Sequence, residues 1–278
     1  MKPGRLWVRE HRHLRPYFQS ERLIHRLSFG PLLARFYGPP CPLENAHRPM
    51  GTGNLTCMTL RLGIDEAGRG CVLGPMVYAG CLVEESLEPS LFEAGVRDSK
   101  KLSAKKRGVL RPVVEETATD FQILPFSPAE LDVTSLNELG KRALVLMTAR
   151  FLPDVLVFDA PVPPKQIPGY IRDLRERLTK AGVPETMQII GENGADDRYA
   201  CCAAASILAK THRDSVIATI EANAGRPIGS GYPGDPKTVA YLKESYDPST
   251  GFPPSVRTKW ETARRIVAAR AQQSIFPG

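Results

Sequence analysis

Apolar positions along residues 60–275 fall into two periodicities, and most secondary structure follows from where each one starts and stops. Leu60 to Ile64 and Val72 to Val83 are apolar, partly β-branched runs joined by Glu66-Ala67-Gly68-Arg69-Gly70. This predicts a hairpin with strands at 60–66 and 72–83 and a longer loop. Ser103 ahead of Ala104-Lys105-Lys106-Arg107 opens a helix reaching Val113 or beyond, and Phe121-Gln122-Ile123-Leu124 is a third strand. Residues 131–151 repeat at helical spacing, with Leu136, Leu139, Ala143, Leu144 and Met147 on one face and Pro153 as the stop. Val155-Leu156-Val157-Phe158 is continuously apolar, the mark of a strand buried on both faces. A helix over about 167–181 and a short strand at 187–190 follow, then helices over about 196–222, 236–246 and 257–273. Strands alternating with helices after an antiparallel start predict an α/β protein with a mixed sheet covered by helices.

Composition narrows this picture only slightly. Of 278 residues 42% are hydrophobic and 24% charged, an ordinary globular balance with enough apolar mass for a real core. The net charge of +7 points toward a polyanion until its distribution is considered. Nine Lys/Arg against three acids lie in residues 1–57, leaving 58–278 close to neutral. Any polyanion site there has to come from local clustering. Six cysteines show no C-x-x-C pair, and His212 is the sole histidine beyond His47, which argues against zinc. Cys201 and Cys202 sit in an apolar helical run, where buried thiols in a reducing, cytoplasmic setting are expected. No apolar run approaches the roughly 20 residues that span a bilayer, and no membrane partner is expected.

Residues 1–57 form a basic N-terminal extension, with four of the five histidines and a Gly-Pro-Pro-Cys-Pro stretch at 38–42. Met58 leads straight into the first strand and is read as the biological start, with the upstream segment a poorly ordered tail; a basic nucleic-acid arm is the competing reading.

The candidate chemistry is acidic. Asp65-Glu66 stand at a strand end beside a Gly-Arg-Gly turn, Asp159 ends the buried strand, and Asp196 begins a helix. Taken alone, Asp65-Glu66 is an ordinary acidic turn, Asp159 a strand-end residue and Asp196 a helix cap. A carboxylate at a buried strand end is costly to desolvate unless a cation pairs with it, and a divalent metal would serve.

The order and setting of these acids resemble the ribonuclease HII family, the type 2 ribonucleases H. The resembling segments are Asp-Glu-Ala-Gly-Arg-Gly at 65–70, Val72 to Val77, Asp98-Ser99-Lys100-Lys101-Leu102, and Ala195-Asp196 with Tyr199. Ala204-Ala205-Ser206-Ile207 with Ala209-Lys210 and Arg213-Asp214, and Gly229-Ser230-Gly231-Tyr232-Pro233, complete the set. The last of these, with Phe252 to Arg257 and Trp260, is similar to the archaeal enzymes and the eukaryotic catalytic subunit. The resemblance covers about 60–268 and implies a ribonuclease H-like fold: a five-stranded mixed sheet flanked by helices, with a catalytic domain at 58–222 and a helical substrate-binding portion at 223–278.

It also implies an endoribonuclease that cuts the RNA strand of RNA–DNA hybrids and cleaves 5′ of ribonucleotides in duplex DNA, acting as a monomer unless accessory subunits join it. Asp65, Glu66, Asp159 and Asp196 map onto the family's metal ligands. Two divalent cations, magnesium or manganese, about 4 Å apart would clamp the attacking and leaving oxygens. Gly68, Arg69 and Gly70 would approach the 2′-hydroxyl and phosphate, Tyr232 would stack on the deoxyribose after the ribonucleotide, and Lys100 and Lys210 would contact phosphate. Arg213 and the basic group Arg257, Lys259, Arg264, Arg265 and Arg270 are either further backbone contacts or solvated helix faces. Cys71 departs from the family's usual proline, and the segments 160–164 and 191–194 are not typical, which leaves Asp197 and Glu192 as alternatives to Asp196.

Overall fold

In a computed structural model the described residues are 58–97 and 102–275. The basic extension and Lys100 lie outside them. The sheet consists of β1 (Leu60–Ala67), β2 (Met76–Glu84), β3 (Asp120–Phe126), β4 (Val155–Asp159) and β5 (Gln188–Glu192), in the order β3-β2-β1-β4-β5. β2 and β3 are antiparallel to their neighbours, whereas β1, β4 and β5 run parallel. The expected five-stranded mixed sheet is therefore present, and β1 is the strand where antiparallel pairing changes to parallel.

Two apolar layers cover the sheet. On one face lie α1 (Glu88–Glu93), α2 (Ala104–Thr117) and the 25-residue α7 (Ala200–Ala224). Between β5 and α7 comes α6 (Ala195–Arg198), a single turn. On the other face lie α3 (Pro128–Val133), α4 (Leu136–Phe151) and α5 (Ile167–Lys180). The first two turns of α7 open with a run of small residues, Ala200 to Ala205, every one of them fully buried. Small side chains let this helix approach β1 so closely that a Cβ on Gly63 would stand 2.1 Å from the Cys201 carbonyl carbon. That contact fixes the depth of α7 against the strand bearing the first acids.

A third apolar cluster joins Val72 and Leu73 to α8 (Pro236–Ser245) and α9 (Glu261–Ile275) through Ile228, Tyr241, Leu242, Val256, Ala263 and Ile266. It explains why the second strand starts later than expected. Val72 and Leu73 are apolar because they pack against the C-terminal helices, and Leu73 makes only an isolated bridge to Val256, so pairing with β1 begins at Met76. Two expected helices are also broken. Thr134 is extended and Ser135 caps a fresh start at Leu136, dividing 131–151. Tyr199 is extended and separates Asp196 from α7, so Asp196 occupies a short turn of its own. The last helix starts at Glu261, since 257–260 forms a turn against Val72. Among the described residues no helix is long and apolar enough to cross a membrane.

Candidate active site

The four acids gather at the end of the parallel pair β1 and β4. Ile64 pairs with Phe158, which places Asp65 and Asp159 as the next residues on adjoining strands. Alternation along β1 divides the acidic pair: Asp65 shares the α7 face with Gly63 and Ala67, while Glu66 shares the α4–α5 face with Leu62 and Ile64. Asp65 is 6% exposed and Asp196 fully buried, whereas Asp197 beside it is exposed.

A loop contact holds Asp159. The Gly194 N–H donates to Asp159 Oδ1 at 2.7 Å, and the Asn193 amide donates to the carbonyls of Ala160 and Val162. The two segments atypical of the family are thus tied to each other across the site. Glu192 is paired with Arg198, at 2.5 Å, and accepts from the Tyr199 hydroxyl.

Burial dominates the electrostatics. Desolvation, with Glu66 and then Asp196 adding repulsion against a hydrogen bond from Ser206, pushes the Asp65 carboxyl up to about 8. Glu66 is raised by burial and by Asp159, with Arg69 opposing. The repulsions chain all four carboxylates into one electrostatic unit. Arg69 bridges Glu66 and the Tyr78 hydroxyl at 3.4 Å each, and its other nitrogen reaches the Asn137 amide oxygen. Among the described residues no three His, Cys, Asp or Glu side chains are grouped so as to hold a metal ion. The donor set nevertheless fits hard divalent cations: it offers carboxylate oxygens alone, Asp65 and Asp196 are buried, and Asp65 and Glu66 are raised chiefly by desolvation.

The turn after β1 gives its glycines different reasons. Gly68 has φ +81° and a Cβ there would strike Arg213 at 2.6 Å, so the fold itself demands glycine. Gly70 has no positive φ, is exposed, and has open space where a Cβ would go. Anything that requires a bare backbone at Gly70 must come from outside the chain. Tyr232 is 49% exposed at the neighbouring 229–232 segment, and Lys210 is half-buried on α7.

Two arginines depart from the solvated or phosphate-facing roles considered for them. Arg257 is fully buried and donates to the carbonyls of Gly74 and Arg69 at 2.9 and 3.2 Å, while burial draws its guanidinium down to about 10. Arg213 is 6% exposed and donates to the Ser230 carbonyl at 3.1 Å. Their acceptors are carbonyls remote in sequence, which no spacing rule reveals. Arg264, Arg265 and Arg270 are exposed on α9. Asn137 and Ser206 also escaped notice as site residues; Ser206, the one hydroxyl in the small-residue run of α7, carried the only usable signal.

Comparison with known proteins agrees with this geometry. The family model described as Ribonuclease HII matches residues 62–263. Ribonuclease HII of Thermococcus onnurineus is 41% identical over 217 residues, covering 76% of this chain and 91% of that protein. Ribonuclease HII of Pyrococcus horikoshii is 38% identical over 209 residues, 73% and 91% of the two chains. Among solved structures, ribonuclease H2 from Pyrococcus horikoshii superposes with TM-score 0.67 at 36% identity, covering 77% of this chain and all of that one. The RNase HII of the Archaeoglobus fulgidus PCNA complex gives 0.63 at 35%, covering 73% and 95%. Bst-RNase HIII in complex with Mn2+ gives 0.63 at 17% identity, over 87% of this chain and 80% of that one, a likeness of fold alone. With the family model spanning most of the chain and relatives above 30% identity over nearly their whole length, this chain belongs to the ribonuclease HII family.

Proposed function

We propose that this chain hydrolyses the RNA strand of RNA–DNA hybrids and cuts 5′ of ribonucleotides embedded in duplex DNA, leaving 3′-hydroxyl and 5′-phosphate ends. The observation that carries the reading is the mutually repelling set of two buried acids, Asp65 and Asp196, and two partly buried ones, Glu66 and Asp159, beside a turn whose Gly70 is open to a ligand. Asp65, Glu66, Asp159 and Asp196 would hold two divalent cations, magnesium or manganese, which when bound activate water and neutralise charge on the phosphate. The chain supplies the rest. Arg69 offsets Glu66 until the acids are otherwise compensated, Gly68 and Gly70 bring backbone to the 2′-hydroxyl, and Tyr232 stacks on the following deoxyribose. Residues 58–222 would carry the chemistry and 223–278 the grip on the duplex, with Lys100, Lys210 and the exposed arginines of α9 on phosphates.

Buried free thiols at Cys71, Cys81, Cys201 and Cys202 support a reducing, cytoplasmic setting. The monomer is the proposed active unit, and adding PCNA, the partner in the Archaeoglobus structure, tests whether a clamp raises its activity. The deciding experiment incubates the purified protein and Asp159→Asn with a duplex containing one ribonucleotide. Wild type should cut 5′ of the ribonucleotide in magnesium or manganese, and the variant should not. Absence of that cut in the wild type with either metal would overturn the reading.

A further inference from the structure

Arg69, the middle residue of the turn after β1, is held at both ends. Its carbonyl accepts from the buried Arg257 guanidinium at 3.2 Å. Its own guanidinium folds back from the turn, with one nitrogen 3.4 Å from both Glu66 Oε1 and the Tyr78 hydroxyl and the other donating to the Asn137 amide oxygen. Tyr78 stands opposite Glu66 on β2 and is buried. Asn137 lies in the first turn of α4, where the Ser135 hydroxyl accepts from the Glu138 N–H at 3.3 Å and Leu139 packs into the core. Gly140, further along the same helix, makes room for this arrangement: a Cβ there would stand 2.5 Å from the Tyr78 hydroxyl. Residues three apart share a helix face, so α4 presents Asn137 and Gly140 together to Arg69 and Tyr78.

Gly68 and Gly70 carry no side chain, so Arg69 supplies the one side chain by which the rest of the protein can grip the Gly-Arg-Gly turn. Of the guanidinium's three partners, Asn137 alone comes from outside the β1–β2 pair. It is mounted on a capped and packed helix, which fixes a neighbour more sharply than a loop would. We infer that Asn137 is a positioning residue: by holding the Arg69 guanidinium against α4 it sets the turn from which Gly70, with open space where a Cβ would go, meets the ribonucleotide. The guanidinium then works inside the protein, and the backbone of the turn faces the substrate. The inference rests on the reading of this turn as the group that senses the 2′-hydroxyl.

The test compares wild type with full-length Asn137→Ala, Asn137→Asp, Arg69→Ala and the Asn137→Ala/Arg69→Ala double variant. KM and kcat are measured in magnesium on a duplex with one ribonucleotide, and affinity is measured in chelator for that duplex and its all-deoxy counterpart. Asn137→Ala should raise KM about 2- to 10-fold, the range of one hydrogen bond, with kcat little changed and Tm held, since Asn137 is exposed. Affinity for the ribonucleotide duplex should fall by a similar factor while that for the all-deoxy duplex stays, a selective loss that general loosening of the fold does not produce. Asn137→Asp, which keeps the acceptor, should lie between Asn137→Ala and wild type. The double variant should match Arg69→Ala, because Asn137 acts through Arg69. An Asn137→Ala KM equal to wild type, an equal loss on both duplexes, or effects that simply multiply would overturn the inference. Should Asn137→Ala fail to fold, Arg69→Ala removes the same bond from the turn side, and an unchanged preference for the ribonucleotide duplex there overturns it too. Equal binding of the two duplexes by wild type overturns the reading of the turn itself, and the inference with it.

Discussion

At the scale of single residues, the site is governed by how much charge it buries. A carboxyl whose pKa rises from 3.8 to about 8 on folding, as that of Asp65 does, binds its proton more tightly in the folded chain than in the unfolded one. The contribution of Asp65 to metal-free stability is therefore full below about pH 4 and is lost as pH climbs toward 8; thermal melts in chelator across that window should show a smaller fall in Tm for Asp65→Asn than for wild type. Metal competes with the same proton. Apparent magnesium affinity should tighten up to about pH 8, with proton release detectable by calorimetry in buffers of different ionisation enthalpy. Asp65→Asn removes the group that must take up a proton on folding and should raise the metal-free Tm near neutral pH, by about 3 °C for each kcal/mol so relieved, while abolishing cleavage. Arg257 poses the converse case, a buried cation spent on carbonyls. Arg257→Lys keeps the charge but cannot span Gly74 and Arg69 together, so it should cost about 2 kcal/mol in denaturant melts and lower activity with it.

At the scale of elements, legibility depended on whether local pattern or distant contact set the outcome. The apolar run 155–158 could be read as a buried strand, and the spacing of Leu139, Ala143, Leu144 and Met147 as a helix face, because each burial repeats at the period of its own backbone. The acidic set was legible only through its order along the chain. Val72 and Leu73 misled because apolarity alone does not say which neighbour does the burying. The break at Tyr199 left no breaker residue in the sequence, and Arg213 and Arg257 carry nothing that separates them from surface arginines. Gly63 shows how much rests on such contacts. Gly63→Ala has no room against the α7 backbone, so it should push the helix off β1, lower Tm strongly and abolish cleavage without altering any of the four acids. A near-normal melt and turnover for that variant would refute this account of how α7 is seated.

At the scale of the whole molecule, the described residues within 58–275 already supply a five-stranded sheet and three apolar clusters. A chain beginning at Met58 is expected to melt cooperatively and to keep its turnover, measured side by side with the full-length protein. If the basic extension grips nucleic acid, the shortened chain will instead show a higher KM and a shallower dependence of KM on salt. The division of Asp65 and Glu66 between the two faces of β1 has a mechanical consequence. One acid is mounted on the face packed by α7 and the other on the face packed by α4 and α5, so each answers to a different apolar layer. A substitution that repacks one layer is expected to disturb one acid before its neighbour, as a hand on one side of a door moves the hinge from that side alone.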